Sequence, residues 1–288
     1  GQSGTVRQTF PNPRPLSADL FGRAVAATAG VVVIAAPYND QAAVNAGVVY
    51  LFDAATGALL HTLSSPRPNV GDAFGLAVAA ADGLVLVGSP YDHSTPSNAG
   101  AAYLFDATSG VLVRSFVSPA VDARFGAAVA LGTGTVVIGA PLADGASTDV
   151  GRVYVFDAAG GALLAAIDNP GPQAGDQFGA AVALAGPALL VGAWLDDDGA
   201  ENAGAVYRFL DVSTPTTSST TSTSTSSTSS TSTSTSSTTS TAETSSTVET
   251  TTTTTSTTDV TADTDTVSTS STITTATTSS TAERTTTT

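Results

Sequence analysis

The pair Phe-Gly recurs at Phe21-Gly22, Phe74-Gly75, Phe125-Gly126 and Phe178-Gly179, at intervals of 53, 51 and 53 residues. This internal period governs what the chain can fold into, because each copy must be one supersecondary unit that buries its apolar faces against its neighbours. Each pair opens a stretch of the type Phe-Gly-x-Ala-Val-Ala. An apolar run follows, ending in Ala35-Ala36-Pro37, Gly88-Ser89-Pro90, Gly139-Ala140-Pro141 and, with Trp in place of Pro, Gly192-Ala193-Trp194. After an acidic loop comes a glycine-led apolar run: Gly47 to Asp53, Gly100 to Asp106, Gly151 to Asp157 and Gly204 to Leu210. In three copies an Asp-x-x-Thr/Ser/Gly-Gly turn leads into a last short apolar run, such as Ala58 to Leu63.

The pattern predicts four short strands per repeat and no helix. Val31 to Ala36 is apolar throughout and bounded by Gly30 and Pro37, which suits a strand covered on both faces. Asp53 to Gly57 reads as a hairpin turn, with Asp bonding nearby backbone and Gly57 supplying positive φ. The first strand carries small residues (Gly22, Ala24 and Ala26; Gly126, Ala128 and Ala130), so strands can crowd toward a common axis. Four strands per unit of about 50 residues is the pattern of a β-propeller blade. Gly4 to Pro15 also matches Gly57 to Pro68 without a gap. A fourth strand therefore stands ahead of the first repeat, while the last repeat runs out at Leu210 and Asp211 without one. Residues 4–10 are expected to complete the last blade. That pairing is open to two forms, within one chain or between chains. The link Pro11 to Leu20 matches Ser64 to Ala73, which joins neighbouring blades, and this favours the first form.

At these residues the chain resembles the FG-GAP repeats of integrin α-subunit propellers and of many secreted bacterial and protist proteins. The resemblance covers about residues 4 to 211. It implies an all-β fold: four blades of four short antiparallel strands in a small propeller, with repeats starting near Phe21, Phe74, Phe125 and Phe178. The ring is small, since the family commonly has about seven repeats. Calcium-binding copies of that family carry an Asp-rich loop between the Phe-Gly strand and the Gly-Ala-Pro strand. Here those loops (27–30, 80–83, 131–134 and 184–187) hold one carboxylate among them, Asp82. A Ca²⁺ site needs six to eight oxygens, so the family's metal function is not expected.

Other candidate sites are sparse. Asp196, Asp197, Asp198 and Glu201 form the densest acidic cluster, to be read as a weak metal loop or as a solvated turn. Trp194 breaks the repeat beside it and is a candidate contact residue or a packing residue. His61 and His93 are the only histidines; neither comes with a recognisable nucleophile and orienting acid. Asp53, Asp106 and Asp157 recur at one register and read as turn formers rather than a catalytic pair. Tyr50, Tyr103, Tyr154 and Tyr207 read as blade-core aromatics. The chain has no cysteine and no lysine, so disulfides, thiolate chemistry and a phosphate-cradling lysine are excluded. Through Asp211, 8 Arg stand against 18 acids, a charge of −10 that argues against nucleic acid. No cofactor is expected, and no run is long enough to span a bilayer.

Residues 213–288 are a different polymer: 60 of 76 are Ser or Thr, with no Gly and no aromatic. Such a segment cannot bury a core. It has the composition of an O-glycosylated stalk, with Thr216, Thr220, Thr250, Thr251 and Thr252 as representative acceptors; the bland alternative is an unmodified linker. No Asn-x-Ser/Thr sequon occurs, so sugar is expected on hydroxyls. The first residue is Gly1, consistent with a processed or partial product. The sequence thus reads as a propeller head (1–212) on a stalk, extracellular and non-enzymatic. It is expected to build a coat or fibril by self-assembly or with other extracellular proteins and glycans. Alternatively, it is an adhesive module that binds protein or glycan through one loop face.

Overall fold

A computed structural model describes residues 4–93, 99–118, 123–210 and 212. The stalk and its candidate acceptor hydroxyls lie outside the described residues. Fifteen strands and no helix are present among them. They form four antiparallel meanders. Blade 1 is β1 (Val25–Thr28), β2 (Val31–Ala36), β3 (Val48–Asp53) and β4 (Leu59–Leu63). Blade 2 is β5 (Ala77–Ala81), β6 (Leu84–Ser89), β7 (Ala101–Asp106) and β8 (Leu112–Val117). Blade 3 is β9 (Ala128–Gly132), β10 (Thr135–Ala140), β11 (Arg152–Asp157) and β12 (Leu163–Asp168). Blade 4 has three strands, β13 (Phe178–Ala185), β14 (Ala188–Ala193) and β15 (Ala205–Leu210).

The turns follow from local chemistry. Ala29 and Gly30 both take positive φ, 44° and 79°, which matches the twist of a two-residue hairpin. At the outer hairpin, Asp53 Oδ1 accepts from the N–H groups of Ala55 and Thr56 and from the Thr56 hydroxyl, at 3.1, 2.7 and 2.7 Å. The Thr56 bonds hold this carboxyl below the usual range, and the Ser109 bonds do the same for Asp106. The same bulge follows in each complete blade, between Leu51 and Phe52, Leu104 and Phe105, and Val155 and Phe156.

Because β2 is apolar throughout, it packs on both sides. Val31, Val33 and Ala35 face blade 2, while Ile34 and Ala36 lie in a second cluster with Tyr50 and Phe52. The head therefore has no single core but a series of layers between blades. The small inner strands touch in sequence, β1 with β5, β5 with β9 and β9 with β13. No comparable contact joins β13 back to β1. Residues 4–10 lie in no strand and are absent from the last sheet. The expected completion of blade 4 by that segment within the chain is therefore not what is found. The segment lies instead on blade 1, where Phe10 packs on Phe52 at 5.3 Å between ring centroids. The packing of Phe10 explains this, since it covers Phe52 and joins the blade 1 cluster of Ile34, Ala36 and Tyr50.

Candidate functional site

An open apolar groove of about 770 Å³ runs along blade 4, lined by Gly192, Trp194, Gly204 and Val206 together with Gln177 and Ala181, and reaches Ala127 and Pro141 beside blade 3. Trp194 is 63% exposed, and its indole N–H donates to Gln177 Oε1 at 2.9 Å. At this position the other copies carry Pro37, Pro90 and Pro141. Trp194 therefore lies in the wall of an open groove, partly tied at its polar edge.

The acidic loop beside it is built for structure. Asp196 is buried, and its Oδ2 accepts from the Tyr207 hydroxyl at 2.6 Å while its Oδ1 accepts from Asp198 N at 3.0 Å. Asp92 makes the same bond to Tyr103 at 2.6 Å. Burial, followed by the bond to Asp196, pushes the Tyr207 phenol well above its ordinary value. Asp197 Oδ1 accepts from Asn202 N, just as Asp40 caps Asn45 and Asp144 caps Asp149. Two of the four acids thus repeat a scaffold present in other blades. Asp198 accepts from Gln173 at 3.4 Å, and Glu201 is exposed. Among the described residues, no group of three or more His, Asp or Glu side chains is placed to hold a metal. Accordingly, adding a chelator should leave the thermal unfolding curve of the head unchanged. A Ca²⁺-dependent rise in Tm, as expected when an ion binds only the native state, would contradict this.

The remaining candidates are dispersed. His61 Nε2 contacts Thr108 O at 2.8 Å, across the junction onto the turn of blade 2. His93 Nδ1 lies 3.1 Å from Asp72 Oδ1. Asp53 and Asp106 serve their own turns, and Asp157 Oδ2 accepts from Gly160 N. Tyr50, Tyr103 and Tyr154 are core residues, and Tyr207 packs partly buried against the core of blades 3 and 4. Tyr50 and Tyr154 are almost wholly buried, and burial, with Asp19 next, raises the Tyr50 phenol.

Sequence reasoning missed the part played by Asp19, Asp72 and Asp176, two residues before their Phe-Gly pairs and all buried. Asp19 Oδ2 accepts from Asn12 Nδ2 and Leu16 N at 2.8 and 2.9 Å, and Asp176 Oδ2 accepts from Asn169 Nδ2 and Gln173 N, both at 2.7 Å. These carboxylates brace proline-rich links, Asp19 the one ahead of blade 1, and Asp72 and Asp176 those between blades. The signal was their constant offset from Phe-Gly. Nor did the sequence mark Gly192, Gly204 and Val206 as a surface, since their counterparts in other blades are interior.

A family model described as FG-GAP repeat matches residues 15–52, 63–105, 119–156 and 165–209, together more than half of the chain. A comparison with curated proteins found no match. Each matched segment holds one Phe-Gly pair and runs into the third strand of its blade, leaving the outer strands β4, β8 and β12 wholly or mostly outside the match that covers the rest of their blade. On that agreement of repeat, register and fold, the chain is a member of the FG-GAP repeat family.

Proposed function

We propose that this is a non-enzymatic extracellular structural glycoprotein, an FG-GAP head (residues 1–212) on an O-glycosylated stalk (213–288), which builds a coat or fibril. The observation that carries the reading is the union of two unlike parts. A repeat head whose acidic side chains Asp19, Asp53, Asp106, Asp176 and Asp196 serve turns and blade links is followed by a segment in which 60 of 76 residues are hydroxyl-bearing. Such a segment gains nothing from folding and is suited to sugar, which would stiffen and solvate it. Self-association and contacts with other extracellular proteins or glycans are the partners this arrangement serves.

A second reading is supported by the groove at Trp194: an adhesive module that holds a protein or glycan there. An exposed indole in an apolar groove is a suitable anchor for either. The two readings separate experimentally. The native chain is expected to have a mass well above 28.3 kDa, with the excess mapping between Ser213 and Thr288 and lost on β-elimination, and to form regular assemblies in negative stain. An unmodified native mass would sink the stalk. Saturable binding on a glycan array, lost in Trp194→Ala and accompanied by no assembly, would establish the second reading in its place.

A further inference from the structure

Every internal blade junction is made from the same parts. The N–H of Phe74, Phe125 and Phe178 donates to the carbonyl of Ala46, Ala99 and Val150 in the blade before, at 2.9, 3.0 and 3.0 Å. A Cβ on Gly47, Gly100 or Gly151 would lie 2.2, 2.2 or 2.1 Å from the carbonyl oxygen of that same Phe, so only glycine permits the approach. The residue before each Phe holds a left-handed backbone: φ is 52° at Ala73, 50° at Arg124 and 55° at Gln177. That conformation aims its N–H at the preceding blade, as in the Ala73–Asn45 and Gln177–Asp149 bonds of 3.1 and 3.2 Å.

Both halves of one more such junction stand at the two ends of the head with nothing opposite. On blade 4, Gly204 keeps a φ of 77° and Asn202 one of 53°. A Cβ on Gly204 would meet only its own blade, at Trp194 and Ala193. Val206 is 74% exposed, although its counterparts Val49, Ala102 and Val153 are all 0% exposed. On blade 1, Leu20 keeps φ 52° and Gly22 keeps φ 89°, yet a Cβ on Gly22 would touch nothing within 4 Å. Phe21 is half-buried where Phe74, Phe125 and Phe178 are 0% exposed, and Leu20 and Val25 are exposed beside it. Residues 4–10 already occupy the place of an outer strand of a preceding blade. Phe10 sits on Phe52 as Phe116 sits on Phe156, and Gln8 reaches the Gly57 turn as His61 and Arg114 reach the Gly110 and Gly161 turns.

We propose that these ends bind each other between copies: the Leu20-Phe21-Gly22 end of one chain seats in the blade 4 groove of the next, and Thr5 to Phe10 adds to β15 as its fourth strand. The complete blades dictate the register. Val49 pairs with Leu63, Tyr50 with Thr62, Leu51 with His61 and Phe52 with Leu59, and blades 2 and 3 repeat this. By the repeat, Val206 opposes Phe10, Tyr207 opposes Thr9, Arg208 opposes Gln8 and Phe209 opposes Val6. The N–H groups of Leu20 and Phe21 then meet the carbonyls of Asn202 and Ala203. A second copy is the partner because it alone presents a Phe-Gly, a left-handed donor and an outer strand in that spacing. The contact is heterologous, so it closes into a ring or propagates as a filament. This deepens the structural reading above by naming the partner and the face.

Deleting residues 4–10 would uncover Phe52 and confuse unfolding with loss of assembly, so the test uses exposed positions. The chain contains no cysteine of its own. Full-length Gln8→Cys and Arg208→Cys chains are purified separately, mixed and oxidised. Opposed positions on paired strands lie within disulfide reach. The mixture is expected to yield a covalent dimer that neither variant forms alone and that Val206→Asp in the Arg208→Cys chain removes. Absence of that dimer overturns the proposal, as does an intrachain disulfide in the double variant with no interchain product, which would place the strand in cis. If the dimer is absent but native filaments are seen in negative stain, only this contact is wrong and the structural reading stands. If the dimer is absent and the wild-type chain also shows no assembly in negative stain, both fall.

Discussion

Gly151→Ala should destabilise the head by about 4 kcal/mol, whereas Gly134→Ala should cost only about 1 kcal/mol. Both glycines have positive φ, 85° and 70°, so both substitutions pay for a left-handed alanine. They differ in what the new methyl meets. At Gly134 it meets nothing within 4 Å. At Gly151 it would lie 2.1 Å from Phe178 O and 2.5 Å from Phe178 N, which are backbone atoms of the next blade held by their own hydrogen bonds. Relief requires blades 3 and 4 to part, which loosens a layer holding Val153, Phe178 and Val191. For a head of this size the difference corresponds to roughly 10 °C in Tm, to be read by calorimetry on both variants. Equal shifts would mean that the cost lies in φ alone and that the close approach between blades is dispensable.

The second large effect separates two valines at one repeat position. Val153→Asp is expected to abolish folding. The side chain is wholly buried between blades 3 and 4, and an unpaired carboxylate there costs several kcal/mol beyond the lost apolar burial, against a total stability of about 5–15 kcal/mol. Val206→Asp should leave the isolated head within about 0.5 kcal/mol of wild type, because its side chain is 74% exposed. Chemical denaturation at high dilution measures the second variant without a contribution from association. Recovery of the first in the soluble fraction with a normal midpoint would show that the layer between blades 3 and 4 is not a true core.

Much of this architecture was legible in the residues. The Asp53 and Asp106 turns, with Gly57 in the first of them, and the strand Val31–Ala36 are local consequences of a side-chain acceptor, a permissive glycine and an uninterrupted apolar run. Each was visible because its cause lies within a few residues of its effect. The candidate site was less legible. The cluster Asp196, Asp197, Asp198 and Glu201 looks like one acidic patch, but the fold turns Asp196 inward to Tyr207, eleven positions on, and spends Asp197 on Asn202 N. Spacing alone does not tell an inward carboxylate from an outward one. Val206 likewise reads as core by analogy with Val153, and only its position at the end of the series leaves it uncovered.

By itself, then, the sequence determined the period, the four blades, the strands and their turns, and the unmatched segment ahead of the first repeat, because these rest on side-chain patterns repeated four times. What only the tertiary structure decided is where that segment goes and whether the blades meet. Those depend on how closely a Phe-Gly backbone settles on Gly47, Gly100 or Gly151 at each junction, and on the packing of Phe10 against Phe52. Both are contacts between residues far apart in the chain, and packing of that kind leaves no signature within a single repeat.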